Sequence, residues 1–430
     1  MSKIIKSKEI SFNKFDILAI VYLFFTISQG VSIETINIGR LKMLEIIPIF
    51  LLIIVGIKNF NFFLIKKINY IYLSLFFLFI LSLISTFWQE TFKPTLYITG
   101  FIILIVSCLN FSNNEQIQDA DIFKLFKYIL VINFLILISC LFFGDTKYLQ
   151  VNELYRFRGV FGNSNQLGRF CSISIILSLF PLFEAYFKIS KSFKFICLFN
   201  LLLGIILLLY SNSRLSLFII LIASFSYTIL KLPSIIYKID NLFKGNNFYK
   251  IITVFIFIFL LFCFFFITKD AWLAILNKFI PSEILTTRGG LSSFRFEYIK
   301  SSLTYLNFFG YQNFKNETSI CADVLYRWYL DPAYQYAKCD VHNTYLNVWL
   351  KFGFYLALFL FYGLILILIF SINFNDKSLK YIFISRLIIV LTISLLVYYL
   401  FETGIFHIFL FFVLILISYL IKRKKLIETN

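Results

Sequence analysis

The sequence contains few charged residues. Of its 430 residues, 14% are charged and 60% are hydrophobic, whereas an average soluble domain is about 25% charged and about 45–50% apolar. This balance excludes a soluble enzyme and a disordered chain, and it predicts a protein whose main solvent is lipid. The net charge of +18 does not indicate nucleic-acid binding, because the basic residues are scattered between long apolar runs, where such residues set membrane topology.

The sequence also lacks several motifs that carry chemistry. It contains no Walker-type phosphate loop and no HExxH, GxSxG or CxxC motif. An ATP-driven pump therefore has no support, and we predict neither a metal site nor a cofactor. Most cysteines lie in apolar runs, where a thiol behaves as a small hydrophobe. Cys321 and Cys339 lie in a polar segment, where they are either a disulfide or two unrelated thiols.

Long apolar runs dominate what is present. A transmembrane helix needs about 20 mostly apolar residues, and the runs predict an all-α polytopic membrane protein with about twelve transmembrane helices. The candidates are residues 15–33, 43–57, 68–87, 95–111, 122–143, 169–187, 193–210, 214–230, 250–268, 344–370, 381–400 and 404–421. The chain then divides into residues 1–268 with helices one to nine, a large loop over residues 269–343, and residues 344–430 with helices ten to twelve and a basic tail.

The lysines of the short loops predict the orientation. Most of them fall on the same side as the N-terminus, which the positive-inside rule assigns to the cytoplasm. Both termini are then cytoplasmic and the large loop lies outside. Arginine follows the opposite pattern, since eight arginines are predicted on the outer side: Arg40, Arg156, Arg158, Arg169, Arg214, Arg288, Arg295 and Arg327. Because a guanidinium grips phosphate or carboxylate at two points, this distribution indicates an anionic ligand.

Three predicted helices begin on the outer side with distinctive residues. Helix six follows residues 158–169, where Asn165 is the predicted cap; helix eight begins at Arg214; and helix ten begins after His342 and Asn343. A helix N-terminus beside arginine binds anions readily, so the three starts together predict a diphosphate pocket, with His342 as a candidate general base. For each start alone, the alternative is an ordinary capped helix whose arginine reaches lipid headgroups.

These segments resemble the bacterial O-antigen ligase/polymerase superfamily. The resemblance rests on RGVFGNSNQLG from Arg158, NSR at residues 212–214, TTRGG and SFRFEYIKSSL in the large loop, and HNTYL with a glycine at residues 342–353. It covers about residues 155–370 by motif and the rest by hydropathy alone. Members are GT-C-type glycosyltransferases of the bacterial inner membrane, which use a glycan on undecaprenyl diphosphate as donor at the periplasmic face.

The resemblance implies a role for each candidate residue. His342 would deprotonate the acceptor hydroxyl, and Arg158, Arg214 and Arg288, with Arg169 and Arg295, would hold the diphosphate in a metal-independent, inverting reaction. Asn165 and Asn343 would support the turns. The preferred expectation is a surface-polysaccharide polymerase, for which a chain-length regulator protein is the candidate protein partner. The alternative within the family is an O-antigen ligase, which joins glycan to lipid A–core.

A secondary transporter for an anionic or lipid-linked sugar is the hypothesis from another class. Twelve spans suit many transporters. A transporter is expected to hold its polar residues near the middle of the membrane on broken helices related by internal repeats. In this sequence the polar residues cluster at the predicted outer helix starts and no internal repeat is visible, which favours the enzyme.

Overall fold

The computed structural model describes most of the predicted helices. It covers residues 69–90, 92–111, 119–143, 145–149, 154–161, 163–183, 191–211, 213–242, 306–310, 343–374, 378–401 and 408–429, with Leu303 and isolated positions between residues 19 and 42. The predicted spans 43–57 and 250–268 lie outside these residues. So does most of the predicted loop 269–343, including Cys321 and Cys339.

The described part of the chain is mainly helical. Its helices are α1 (Asn69–Gln89), α2 (Lys93–Phe111), α3 (Asp119–Phe143), α4 (Ser164–Phe183), α5 (Lys191–Ser211), α6 (Arg214–Leu242), α7 (Thr344–Phe352), α8 (Phe354–Ile372), α9 (Leu379–Phe401) and α10 (Ile408–Thr429). Its strands are β1 (Asn37–Ile38), β2 (Leu41–Lys42), β3 (Asp145–Leu149) and β4 (Leu154–Gly159), which form two antiparallel hairpins. The sequence analysis predicted helices alone.

Five of the described helices are long and apolar enough to cross a membrane. They are α4, α5, α8 and the apolar stretches Lys124–Phe143 of α3 and Tyr381–Leu400 of α9. Each such stretch has 19 to 21 residues, close to the roughly 20 residues that span a hydrocarbon core. The protein is therefore a helical membrane protein, as its composition predicts.

The predicted tenth span is two helices and not one. A break at Gly353 separates α7, which has nine residues, from α8, which has nineteen. Gly353 has φ of 111°, a conformation that side chains disfavour, and the N–H of Gly353 bonds back to the carbonyl of Trp349. Only α8 has the length of a transmembrane helix, so α7 is a separate short helix joined to it.

Helices α4 and α9 run antiparallel through the centre of the bundle. Near one end, the Arg169 guanidinium lies 5.1 Å from the ring centre of Tyr398; further along, the rings of Phe180 and Phe383 are 5.8 Å apart. Helix α4 packs on α5 and α6, and α9 packs on α6, α8 and α10. These two helices therefore carry the apolar core, with the other helices around them.

Three helices begin at one end of this bundle. The hydroxyl of Ser172 in α4 lies 3.2 Å from the carbonyl of Ser216 in α6, so the two helices start side by side. The side chain of Asn343, before α7, donates to the carbonyl of Leu400 at the end of α9. We call the end formed by residues 163–169, 213–216, 343–346 and 398–400 the convergent end.

Lysines mark the opposite end of the bundle. The ammonium of Lys127, in the second turn of α3, lies 5.8 Å from the ring centre of Phe193 at the start of α5. Lys231, far along α6 from its start, lies over the ring of Tyr227. Arg158 and Arg169 lie at the other end. The separation of the two kinds of basic residue is incomplete, since Lys93, Lys147 and Lys351 lie beside the convergent end and Arg386 lies at the lysine end.

Candidate functional site

The start of α4 is closed by a reciprocal pair of side chains. Asn163 accepts a hydrogen bond from the N–H of Gln166 at 2.9 Å, and Gln166 accepts one from the N–H of Asn163 at 3.1 Å. This is a capping box, which satisfies two otherwise open N–H groups. It corrects the predicted cap: Asn165 lies inside the first turn, and Asn163 caps the helix.

Helices α4 and α6 approach closely at the convergent end, where Gly168 lies against the side chains of Ser213 and Ser216. A methyl group built on Gly168 would lie 2.7 Å from the Ser213 hydroxyl and 2.8 Å from the Ser216 hydroxyl. Glycine at this position therefore lets α6 begin against the first turn of α4. The two serine hydroxyls are 2.8 Å apart, so one donates a hydrogen bond to the other. Helix α6 begins at Arg214 as predicted; the side chain of Arg214 lies outside the described residues.

The start of α7 is capped as the sequence predicts. Asn343 accepts a hydrogen bond from the N–H of Leu346 at 3.0 Å, while its amide group donates to the carbonyl of Leu400 at 3.1 Å. One buried side chain therefore closes α7 and fastens it to the end of α9. The prediction for Asn343 is confirmed. His342 is its neighbour in the sequence and lies outside the described residues.

Tyrosines connect the helix starts across the end of α9. The Arg169 guanidinium lies over Tyr398, and the rings of Tyr398 and Tyr399 are 6.0 Å apart. Tyr399 in turn meets the ring of Tyr345 in α7, edge to face at 5.8 Å. Burial raises the pKa of the Tyr345 phenol above its ordinary value, so the phenol stays neutral. The chain from Arg169 to Tyr345 joins α4 to α7.

Sequence reasoning missed Tyr398 and Tyr399. They close a predicted span, where paired tyrosines are ordinary markers of a membrane interface. Their place between Arg169 and Tyr345 depends on the antiparallel packing of α4 and α9, for which no single segment carries a signal.

The hairpin β3–β4 positions Arg158 next to the same helices. Strand β4 packs on α3, α4 and α5. Gly159 has φ of 59°, and a methyl group on it would lie 2.7 Å from the sulfur of Cys140 in α3. The carbonyl of half-buried Arg158 accepts from the N–H of Phe161, whose ring lies 5.3 Å from that of Phe170 in α4. The loop before α4 is thereby held on the bundle.

Of the predicted site residues, the described part brings Arg158, Arg169, Asn165 and Asn343 to one region of the molecule. The start of α6 joins them through its backbone. Three predicted residues, His342, Arg288 and Arg295, lie outside the described residues, so their positions stay predictions.

The described residues contain no group of three or more His, Cys, Asp or Glu side chains placed to hold a metal. Asp119 and Asp121 form an Asp-x-Asp pair at the start of α3. Because α3 ends beside β4, its start lies at the far end of the bundle from Arg158 and Arg169. The pair therefore does not contribute to the convergent end.

Comparison with known proteins adds nothing to the geometry of the site. No protein-family model matches the sequence, and no curated protein matches it.

Proposed function

We propose that the protein is an inner-membrane glycosyltransferase that moves a glycan from undecaprenyl diphosphate onto an acceptor sugar at the periplasmic face. The observation that carries the proposal is the convergent end, where α4, α6 and α7 all begin beside Arg169 and around the last turn of α9. The resemblance of the same segments to O-antigen ligases and polymerases supplies the reaction.

The electrostatics of this end suit a departing diphosphate. Each helix N-terminus carries a partial positive charge and open N–H groups. Arg158 and Arg169 add two full positive charges, each on a guanidinium that can grip phosphate at two points. Breaking the bond between the anomeric carbon and oxygen leaves negative charge on the diphosphate, which such fixed groups stabilise without a metal ion. We propose that Arg214, Arg288 and Arg295 complete this set.

We propose His342 as the general base. The sequence joins it directly to Asn343, whose side chain fastens the start of α7 to Leu400. An imidazole with a pKa near 6.5 accepts a proton readily around neutral pH. The acceptor hydroxyl would lose its proton to His342 while its oxygen attacks the anomeric carbon, and the diphosphate would leave.

The polymerase is preferred to the ligase on the resemblance alone, and both use the same chemistry. The transporter gains one feature from the structure, the broken helix at Gly353. That break lies where α7 meets the last turn of α1, not halfway along the bundle, because the carbonyl of Lys351 accepts from Gln89 at the end of α1. The enzyme therefore remains the better-supported function.

A gene-deletion strain tests the proposal through its surface glycan. Electrophoresis of its lipopolysaccharide should show single repeat units on the core if a polymerase is lost, and no repeat units if a ligase is lost. The wild-type gene should restore the ladder. Arg169→Lys and His342→Ala should not, because lysine cannot grip a phosphate at two points and alanine takes no proton.

Arg386→Lys is the matched control. Arg386 lies in the second turn of α9, at the opposite end of the bundle from Arg169, and this variant should restore the ladder. An unchanged ladder in the deletion strain would refute the proposed function. A normal ladder with Arg169→Lys would remove Arg169 from the phosphate site, and strong inhibition by EDTA in isolated membranes would contradict the metal-free mechanism.

A further inference from the structure

Three successive carbonyls of the segment 307–310 bind three different helices. The carbonyl of Asn307 accepts from the indole N–H of Trp349 in α7 at 2.9 Å. The carbonyl of Phe308 accepts from the N–H of Phe354, the first residue of α8, at 2.9 Å. The carbonyl of Phe309 accepts from Gln89 in α1 at 2.8 Å. The segment therefore fills the junction of α1, α7 and α8.

Gln89 holds this junction together from the last turn of α1. Its side chain is 7% exposed. The two hydrogens of its amide group have two nearby carbonyls, Phe309 at 2.8 Å and Lys351, in the last turn of α7, at 3.0 Å. The last carbonyls of a helix have no partner within it, and an unpaired buried carbonyl is costly. Gln89 thus closes the end of α7 and the segment 307–310 together.

Ser85 adds a second contact one turn earlier in α1. Its hydroxyl donates to the carbonyl of Phe309 at 2.6 Å and lies 3.2 Å from the carbonyl of Phe352, the last residue of α7. Ser85 has one hydrogen for these two carbonyls, so the closer one is its main partner. If the Ser85 hydroxyl were removed, the carbonyl of Phe309 would still accept a hydrogen bond from Gln89.

Glycines make this junction tight. A methyl group on Gly310, which has φ of 88°, would lie 3.1 Å from the carbonyl of Leu350 and 3.2 Å from the nitrogen of Gly353. A methyl group on Gly353 would lie 2.5 Å from the carbonyl of Phe308. The backbones of the loop segment and of the break between α7 and α8 are therefore in direct contact, and α7 has little room to shift.

We infer that Gln89 is a positioning residue, which fixes the angle of α7 and with it the place of Asn343 and the adjoining His342. Helix α7 is bonded near both of its ends: Asn343 bonds α9 at its start, and Gln89 bonds the carbonyl of Lys351 in its last turn. A nine-residue helix is about 13 Å long, so a tilt at its end moves its start by an amount that matters for proton transfer. The effect on activity rests on the proposed function; the effect on α7 does not.

The test compares Gln89→Leu with Asn200→Leu in the purified full chain. Asn200 is another buried amide, which donates from α5 to the carbonyl of Leu130 in α3 at 2.8 Å, remote from α7. Hydrogen exchange should quicken about tenfold at the α7 amides in Gln89→Leu, because buried carbonyls lose their donor. In Asn200→Leu the α7 amides should exchange at the wild-type rate.

The second measurement is the rate of glycan transfer, with the lipid-linked repeat unit extracted from the deletion strain as substrate. Gln89→Leu should lower kcat per folded molecule at least about tenfold while the KM for the donor stays the same, since the arginines of α4 and β4 are untouched. Asn200→Leu should leave both constants unchanged per folded molecule.

Unchanged exchange in Gln89→Leu would overturn the inference. Faster exchange with a wild-type kcat would also overturn it, since α7 would then be held by Gln89 without any consequence for the reaction. If the wild-type chain transfers no glycan, the proposed function fails. The hydrogen-exchange measurement still decides whether Gln89 holds α7.

Discussion

The two central helices differ from two peripheral helices of similar length. In the apolar stretches of α4 and α9, 72% of the residues are buried, against 33% in α5 and α8. Hydropathy ranks them in the reverse order, because α4 and α9 have the two lowest mean hydropathies of the five membrane-sized helices. Three serines of α4, Ser172, Ser174 and Ser178, are fully buried.

This difference shows what selects the interior of a membrane bundle. Lipid tails are as apolar as leucine, so burying an apolar side chain between helices gains little from the hydrophobic effect. Close approach and interhelical hydrogen bonds decide which helix lies inside, and small residues permit both. Gly168 gives α4 close approach to α6 and Ser172 gives it an interhelical contact, whereas α8 turns Phe361, Tyr362 and Leu366 outward.

The sharpest way to break this comparison is a pair of glycine substitutions. Gly168→Val in α4 should prevent assembly, at a cost of at least about 3 kcal/mol, because its Cβ alone would collide with Ser213 and Ser216. Gly363→Val in α8 should be neutral, since a methyl group there would meet no described atom within 4 Å. Detergent-solubilised protein is compared by size-exclusion chromatography. Equal yields of monodisperse protein would show that the centre is not tightly packed.

Leucine truncations sharpen the comparison at a smaller scale. Leu177→Ala in α4 should lower the free energy of unfolding by about 1–2 kcal/mol, because it leaves a cavity at a site with no exposed surface. This is less than in a soluble core, since the unfolded helix keeps its leucine in lipid. Leu202→Ala in α5, where the side chain is 55% exposed, should lower the free energy of unfolding by a few tenths of a kcal/mol at most. Unfolding by SDS in mixed micelles measures both, and equal costs would contradict the assignment of inner and outer helices.

The smallest effect concerns a single interhelical hydroxyl. Ser172 lies 2.9 Å from the carbonyl of Gly168 in its own helix and 3.2 Å from that of Ser216 in α6. Ser172→Ala should cost about 0.6 kcal/mol, the average for such contacts in membrane proteins. Thr228→Ala is the control, because Thr228 is exposed and bonds only Ser224 of its own helix. If Ser172→Ala loses no more stability than Thr228→Ala in the same SDS titration, the contact of Ser172 with α6 contributes nothing to the stability of the fold.

Local signals predicted part of the site. Asn343 followed by an apolar periodic stretch indicates a cap, and the structure has it. The predicted cap before α4 lies two residues too late, because each of the three residues 163–165 is of a type that caps helices, and only the contact with Gln166 selects Asn163. The break at Gly353 was missed, because its φ depends on the carbonyl of Phe308 lying against it, a contact that no local pattern records.

By itself the sequence determined that this chain is a helical membrane protein and where most described helices begin and end. Each of these follows from hydrophobic length or from the chemistry of one residue and its neighbours in the chain. Tertiary structure alone decided that α4 and α9 lie at the centre, that tyrosines connect Arg169 to Tyr345, and that Gln89 closes the end of α7. Those contacts join residues separated by up to hundreds of positions, and in lipid the packing of helices depends on shape and hydrogen-bond geometry, which hydropathy does not record.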